Sequence, residues 1–219
     1  MTFHWLNHKG NKNLLVFFSG WGYDYRPFIP LKSDNYDVLM FYNYGEIILP
    51  PDFDLLFEEY EQVDLIAWSF GVWMANHLCA NYSHKISTKM AINGTLNPIS
   101  DSEGIPIDIF QGTIDNLSEA NLKRFYRRMI GNPIHQSIFE NHHPIILWEE
   151  AKEELSRMSG CLVHNSNKLF NKAIIADNDL IFSSKNQANF WINQVDIKPL
   201  SSSHFPFYNF HSWDVLLNF

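Results

Sequence analysis

The segment Leu65–Ala75, LIAWSFGVWMA, passes from strand-forming residues directly into a helical pattern, with one hydroxyl at the junction. Ser69 stands one residue past the predicted strand Val63–Trp68, and Gly71 opens the predicted helix GVWMANHLCANY. So tight a turn pushes its side chain out of the sheet and needs small neighbours, here Ala67 and Gly71. The pattern A-W-S-F-G therefore predicts a nucleophilic serine. The alternative is a serine that only caps the helix.

Strand candidates alternate with helical patterns along much of the chain. Two candidates near the start, FHWL and LLVFF, are separated by the polar turn NHKGNKN and predict a β-hairpin. Further strand candidates are DVLMFYNY, KISTKMAIN, KAIIAD and VDIKPL, and helical periodicity is found in FDLLFEEYEQ, SSKNQANFWINQ and PFYNFHSWDVLLN. This alternation predicts an α/β fold, with a mostly parallel central sheet and helices on both faces.

The stretch 95–170 interrupts the alternation, because it contains no convincing strand. SEANLKRFYRRMI and IILWEEAKEELSRM carry helical periodicity instead. The first of these segments has an apolar face, and largely on its other face are Lys123, Arg124, Arg127 and Arg128. We expect one compact domain with a core of residues 1–94 and 171–219. Residues 95–170 are expected to form a small helical lid over the carboxyl edge of the sheet, where open α/β folds bind ligands.

Composition narrows the class of protein. The 219 residues are 46% hydrophobic and 18% charged, which is typical of a globular chain that buries a sizeable core. A net charge of −8 argues against general nucleic-acid binding, which requires a basic surface. No apolar run approaches the ~20 residues of a membrane span. Two cysteines and an amino terminus without a signal-peptide core lead us to expect a cytoplasmic protein without a disulfide framework.

A nucleophilic serine needs a general base and an acid that orients the base. At strand–turn–helix serines the chain order is serine, acid, histidine. His204 lies between the last predicted strand and the closing helix, which is where a base is required, whereas His211 falls inside that helix. KAIIADNDLIF offers two acids. Asp179, in the loop past the strand, is the preferred acid, and Asp177, which suits a turn cap, is the alternative.

The developing oxyanion needs main-chain donors. LLVFF runs into SGWGYD, a turn bracketed by Gly20 and Gly22. The amides of Trp21 and Phe70 are the predicted pair of donors. One such fixed donor contributes about 3–4 kcal/mol to transition-state stabilisation. The alternative is that the two glycines mark an ordinary loop.

One cluster resembles a set of metal ligands, and it comprises His135, Glu140, His142 and His143 in HQSIFENHH. Its spacing matches no standard zinc pattern, and no cysteine lies nearby. We therefore interpret the segment as a solvent-facing loop and predict no metal site.

Taken together, these segments resemble the α/β-hydrolases, and more narrowly the BioG-type pimeloyl-acyl-carrier-protein methyl ester esterases of bacterial biotin synthesis. FFSGWGYDYRPF, LIAWSFGVWMAN, IIADNDLIF and SSSHFPF carry the resemblance, which covers nearly the whole chain. Ala67 stands where the G-x-S-x-G motif has its first glycine.

The resemblance implies a reaction. Ser69, deprotonated by His204, attacks the terminal methyl ester of a pimeloyl chain carried by acyl carrier protein, and methanol leaves. The Trp21 and Phe70 amides hold the oxyanion, Asp179 steadies the imidazolium, and water releases pimeloyl-acyl-carrier protein. No cofactor, nucleic acid or membrane takes part.

Acyl carrier proteins are acidic, so the basic face formed by Lys123, Arg124, Arg127 and Arg128 is a candidate docking surface. The alternative is a solvated helix face, as most charged stripes are. Three other activities fit the same catalytic residues: those of a thioesterase, a general carboxylesterase and an acyltransferase. A non-catalytic binding protein of this fold is the alternative from another class.

Overall fold

The computed structural model describes residues 1–161 and 168–219, so residues 162–167 of the predicted insertion lie outside the described residues. The strands of the described part are β1 Thr2–Asn7, β2 Asn13–Phe18, β3 Tyr36–Tyr42, β4 Gln62–Trp68, β5 Lys89–Ile92, β6 Lys172–Ala176 and β7 Asp196–Leu200. They form one sheet in the order β1-β3-β2-β4-β5-β6-β7. β1 runs antiparallel to β3, and the other pairs are parallel. The predicted sheet is therefore confirmed.

The α-helices of the described residues are α1 Leu56–Glu59, α2 Phe70–Cys79, α3 Ile107–Asp115, α4 Glu119–Ile130, α5 Pro133–Asn141, α6 Trp148–Gly160, α7 Ser184–Trp191 and α8 Trp213–Leu217. Helices α3 to α6 all lie between β5 and β6, and the sequence patterns predicted only α4 and α6 among them. The single closing helix that we predicted is wrong, because a 3-10 turn at Phe207–Asn209 precedes the short α8. None of the helices described combines the length and hydropathy needed to cross a bilayer.

The predicted hairpin between FHWL and LLVFF is also wrong. β1 pairs with β3, and β2 lies on the far side of β3, between β3 and β4. All of Leu14–Phe18 is buried, as befits a central strand with parallel neighbours. The connecting turn passes the start of β3, where the Asp37 carboxylate accepts hydrogen bonds from the amides of Lys9, Gly10 and Asn11. These long-range bonds hold β1 and β2 on opposite sides of β3.

Both faces of β2 are covered, which explains its uninterrupted apolar sequence. Leu14, Val16 and Phe18 pack in a cluster that includes buried residues of α2 and α6. Leu15 and Phe17 point to the other face and pack in a cluster that includes residues of α8. Because side chains alternate between the two faces, β2 packs against helices on both sides. This strand leads directly into the SGWG turn.

We expect Asp37→Asn to lower the free energy of unfolding by about 2–3 kcal/mol, because a buried carboxylate that serves several donors is replaced by a group with one acceptor oxygen. Burial raises the pKa of Asp37, but bonds from Lys9, Asn11, the Tyr60 hydroxyl and Gly10 outweigh it and leave the pKa below its usual value. The stabilisation is complete above the unfolded pKa of ~3.9 and is lost as pH falls through the lower folded pKa.

Urea denaturation at pH 7 and near pH 3 checks this expectation, since the difference between wild type and variant should shrink at the lower pH. Asp34→Asn is the matched control, because the Asp34 side chain is 95% exposed. That control should change stability by less than about 0.5 kcal/mol. Equal stability of Asp37→Asn and wild type at pH 7 would contradict the structural role of this carboxylate.

Candidate active site

Ser69 lies between the end of β4 and the start of α2. Its backbone has φ 58° and ψ −128°, a conformation that costs a residue with a Cβ about 1–3 kcal/mol. Its amide donates to the Ile92 carbonyl of β5 at 2.9 Å, which ties the turn to the sheet. Ser69 occupies the N-cap position of α2, but its side chain makes no cap hydrogen bond. The strain therefore holds the hydroxyl away from the helix, and the helix-cap alternative is wrong.

The turn is closed in by glycines on both sides. A Cβ on Gly71 would lie less than 3.0 Å from the carbonyl oxygens of Phe18 and Ser19, so the backbone of α2 touches the end of β2. A Cβ on Gly94 would come equally close to the carbonyl oxygen of Ser69. The sequence pattern identified Gly71 but missed Gly94, which lies 25 residues beyond Ser69.

Three of the predicted side chains form a continuous hydrogen-bonded chain. The Ser69 Oγ lies 2.9 Å from His204 Nε2, and His204 Nδ1 lies 2.8 Å from Asp179 Oδ2. An ionised carboxylate only accepts, so Nδ1 carries the proton and donates to it, and Nε2 is left to accept from the serine hydroxyl. His204 is 1% exposed, which excludes most water from the relay.

Asp179 is fixed by donors on both carboxylate oxygens. Oδ1 accepts from the amides of Ile181 and Phe182, each at 2.8 Å. Oδ2 accepts from Gln187 Nε2 at 3.0 Å as well as from His204. Because these donors hold both oxygens in place, the carboxylate can face the imidazole in one orientation only.

The other two candidates lie elsewhere. Asp177 is exposed, and its Oδ1 accepts from Asn178 Nδ2 and the Ser202 amide at 2.7 and 3.2 Å, so it closes a turn. His211 is exposed and lies in the bend between the 3-10 turn and α8, outside a helix. The structure thus brings Asp179 and His204 to Ser69, whereas Asp177 closes a turn and His211 is exposed in a bend.

Two residues that the sequence reasoning missed hold the backbone of His204. Asn93 Nδ2 and Trp68 Nε1 donate to the His204 carbonyl at 2.9 and 2.8 Å. Asn93 Oδ1 also accepts from the Ala176 amide at 2.8 Å, so one side chain joins the loop of the histidine to β6. In the sequence, the only local sign of this role was that Asn93 follows a strand. In the structure its backbone has φ 47°.

The predicted oxyanion donors flank the serine. A Cβ on Gly20 would lie 3.1 Å from the Ser69 Cβ, so the loop that carries Trp21 passes directly against the turn. Phe70 is the first residue of α2, where main-chain N–H groups lack partners within the helix. Within residues 1–161 and 168–219, neither the Trp21 nor the Phe70 amide donates to a protein acceptor. Trp21 and Phe70 both line the space in front of Ser69.

A small cavity opens at Ser69 and His204. Its walls are mostly apolar and come from the sheet edge and from α3, α4 and α6; they include Trp21, Phe70, Ile105, Phe110, Phe125, Leu155 and Ile181. Thr113 and Arg128 are the polar residues on the side of the helices. Apolar walls with a few polar groups are typical of a site that binds a small apolar group.

The four basic residues of α4 are exposed, but they face two different regions. Arg124 and Arg128 line a second cavity between α3 and α4, and Arg128 also lines the cavity at Ser69. Lys123 and Arg127 line a groove on the other side of α4. Lys123 is paired with Glu119 at 2.6 Å. The predicted set is therefore divided, and only Arg124 and Arg128 lie beside the catalytic cavity.

The histidine-rich segment HQSIFENHH is not the loop that we predicted, because most of it forms α5. The Asn132 side chain accepts from the amides of Ile134 and His135 and so caps this helix, with Pro133 at its first turn. These start signals were readable in the sequence. Among the residues described, no group of three potential metal ligands converges.

The fold and the site together define an α/β-hydrolase: a serine on a strained strand–helix turn is bonded to a histidine and an acid at the carboxyl edge of a mostly parallel sheet. A solved lipase-esterase related protein from Clostridium acetobutylicum shares this fold, with a TM-score of 0.63 at 14% identity over 94% of this chain and 92% of that one.

The family follows from closer matches. The family model for pimeloyl-ACP methyl esterase BioG matches residues 1–216, and the chain belongs to this family, as its motifs predicted. The crystal structure of BioG from Haemophilus influenzae matches with a TM-score of 0.89 at 28% identity, over 99% of this chain and all 100% of that one. Family and fold together place the chain among the α/β-hydrolases.

A longer relative is also similar. The malonyl-[acyl-carrier protein] O-methyltransferase of Bacteroides fragilis is 40% identical over 183 residues. The match covers 82% of this chain but only 36% of that protein, so the chain corresponds to about a third of the relative's length.

Proposed function

We propose that the chain hydrolyses the methyl ester of pimeloyl-acyl-carrier-protein methyl ester to pimeloyl-acyl-carrier protein and methanol, as a step of biotin synthesis. The observation that carries the proposal is the Ser69–His204–Asp179 relay, which lies at an apolar cavity lined by Trp21 and Phe70. Membership of the BioG family supports the substrate. The Bacteroides relative, named for methylating a carrier-bound acid, is consistent with this chemistry.

In the first half-reaction His204 Nε2 takes the proton of Ser69 Oγ as the oxygen bonds to the ester carbonyl carbon. The carbonyl oxygen becomes negative and accepts from the amides of Trp21 and Phe70. The bond from carbon to the methoxy oxygen then breaks, and His204 gives its proton to that oxygen, so methanol leaves. Asp179 stabilises the imidazolium that exists between the two proton transfers.

In the second half-reaction water replaces methanol. His204 takes a proton from the water as its oxygen bonds to the acyl carbon, and the same two amides hold the second oxyanion. The bond between that carbon and Ser69 Oγ breaks, and His204 returns the proton to the serine. The acyl chain leaves with a free carboxylate, and the enzyme regains its starting state.

The cavity and the basic residues of α4 fit a substrate held at its other end by a carrier. The acyl chain lies in the apolar cavity, and the carrier with its phosphate-containing arm remains outside. Arg128 lines both this cavity and the adjoining one, and Arg124 lies beside it in the second cavity. These two residues provide a local positive surface on a chain whose net charge is −8. Lys123 and Arg127 line the groove on the other side of α4, away from this cavity.

Reversing the charge of Arg124 and Arg128 together, to Glu, should lower kcat/KM for the carrier-bound ester about 10- to 100-fold, because charge complementarity guides and holds an acidic partner. The loss of kcat/KM on a small soluble methyl ester should be at least tenfold smaller. Added salt should reduce the difference in kcat/KM between wild type and variant on the carrier-bound ester.

The matched control is the Lys123→Glu, Arg127→Glu double variant, which makes the same charge change on the other side of α4 and should lose less on the carrier substrate. Equal losses of the Arg124/Arg128 variant on both substrates would contradict carrier docking and indicate a defect of folding or of the catalytic site.

The direct test of the reaction is product identification with pimeloyl-acyl-carrier-protein methyl ester. We expect stoichiometric methanol, and a carrier whose acyl chain has lost the mass of one methylene while its thioester remains intact. Release of the free carrier thiol would instead identify a thioesterase. Turnover only with an added alcohol or amine would identify an acyltransferase. Absence of reaction with this substrate and with a fluorophosphonate probe would support a binding protein.

A further inference from the structure

A buried carboxylate of α6 lies behind the loop that carries Trp21. Glu154 is 5% exposed; its Oε2 accepts from the Gly22 amide at 3.1 Å and its Oε1 from the Tyr44 amide at 2.9 Å. These amides belong to different loops, one after β2 and one after β3. An ionised carboxylate offers two acceptor oxygens and no donor, so it satisfies both amides, whereas a carboxamide of the same shape offers only one acceptor.

The bond to Gly22 fixes the peptide that directly follows Trp21. Gly22 has φ 74°, a conformation open to glycine, and its carbonyl accepts from the Tyr126 hydroxyl at 2.7 Å. The Trp21 side chain donates from Nε1 to the Ala151 carbonyl at 2.6 Å, one turn before Glu154 on α6. Glu154 therefore controls the peptide after Trp21, while Ala151 holds the Trp21 side chain.

We propose that Glu154 is a positioning residue for ester hydrolysis: by bonding the Gly22 amide it holds the loop so that the Trp21 amide points at the oxygen that becomes negative. The inference rests on the proposed role of Ser69 as nucleophile. It adds a residue of the helical insertion, more than 80 positions from Ser69 in sequence, to the groups that set the geometry of the oxyanion site.

The energetics of Glu154 support this role. Burial raises the pKa of Glu154 to about 7, although the hydrogen bonds from the Tyr44 and Gly22 amides oppose the rise. Desolvating a carboxylate is unfavourable, and an apolar side chain would fill the same space without that penalty. What an apolar side chain would not do is orient the two amides, which is the property that catalysis requires.

The test is Glu154→Gln, assayed on a small soluble ester so that carrier binding plays no part, and at a pH well above 7 so that the wild-type Glu154 carboxylate is ionised. The variant has one acceptor and one donor where two acceptors are needed, so one amide loses its partner. We expect kcat to fall about 10- to 100-fold with KM within about threefold, because a misplaced donor acts mainly on the transition state. The affinity for a boronic acid that forms a tetrahedral adduct should fall in parallel with kcat/KM.

Met158→Ala is the matched control, because Met158 is a fully buried residue one turn further along α6. It should lower the melting temperature yet keep kcat within about threefold, since it removes packing rather than an amide partner. Unchanged kcat in Glu154→Gln, or a loss no larger than that of Met158→Ala, would overturn the proposal. If Glu154→Gln does not fold, Glu154→Asp, too short to reach both amides, should show the same selective loss of kcat.

Failure of the proposed function has a different signature. A wild-type chain that neither hydrolyses esters nor reacts with a fluorophosphonate would remove Ser69 as nucleophile, whatever Glu154 does. The positioning of the loop is then judged from amide hydrogen exchange at Gly22. Faster exchange in Glu154→Gln than in wild type is the expected result, and equal exchange would refute the inference.

Discussion

Asparagine in place of Asp179 should lower kcat about 10⁴-fold while leaving the fold intact. The two backbone donors at Ile181 and Phe182 fix the side-chain oxygen on their side, which turns the new NH2 group towards His204. Nδ1 must then accept rather than donate, so the proton moves to Nε2. A protonated Nε2 cannot take the proton from Ser69, and the relay fails although its geometry is preserved.

Asp177→Asn is the matched control, because it makes the same chemical change two residues away in a side chain that closes a turn. It should retain kcat within about threefold, as surface changes usually do. Steady-state kinetics on a small ester, with circular dichroism to check folding, separate the two variants. A larger loss in Asp177→Asn than in Asp179→Asn would reassign the acid.

Ser69→Ala should lower kcat about 10⁵- to 10⁶-fold, since the group that forms the covalent intermediate is removed. Labelling by a fluorophosphonate should disappear in the same variant. The protein should still fold, because alanine can adopt the backbone conformation of Ser69 and has a smaller side chain. The variant should also fail to rescue a biotin-requiring strain that lacks its methyl ester esterase, whereas wild type should rescue it.

Ser203→Ala controls for the loss of a hydroxyl close to the site. Ser203 precedes His204, and its Oγ donates to the Ile130 carbonyl at 2.7 Å, away from the relay. We expect its activity to stay within about threefold of wild type. Rescue of growth by Ser69→Ala as well as by wild type would exclude covalent catalysis at Ser69.

The sequence was sufficient to predict those residues of the candidate site that lie in turns directly after strands. Ser69, Asp179 and His204 each follow a strand that is recognisable from apolar and β-branched residues, and the parallel order of β4, β6 and β7 brings their ends to one edge. The crowding at the serine required glycine at position 71, which the motif contains. Local chain geometry therefore carried the fold class and the central residues of the site.

The sequence was insufficient where a buried polar group acts at long range. The turn between β1 and β2 is held at the start of β3 by Asp37, which bonds amides 26 to 28 residues away. Asn93 reaches His204 across 111 residues, and Gln187 serves Asp179 from a helix that looks unremarkable in sequence. Helical periodicity assigned the basic residues of α4 to one face, but it did not show which of them border the cavity.

Helices α4 and α6 line the cavity at Ser69, and they also hold the loop that carries Trp21. The Tyr126 hydroxyl of α4 and the Ala151 carbonyl of α6 bind the loop that holds Trp21. Any movement that lifted these helices from the sheet would break both of these hydrogen bonds to the loop. The helical insertion and the loop of Trp21 are therefore mechanically coupled, and a substitution that loosens α4 or α6 should also loosen this loop.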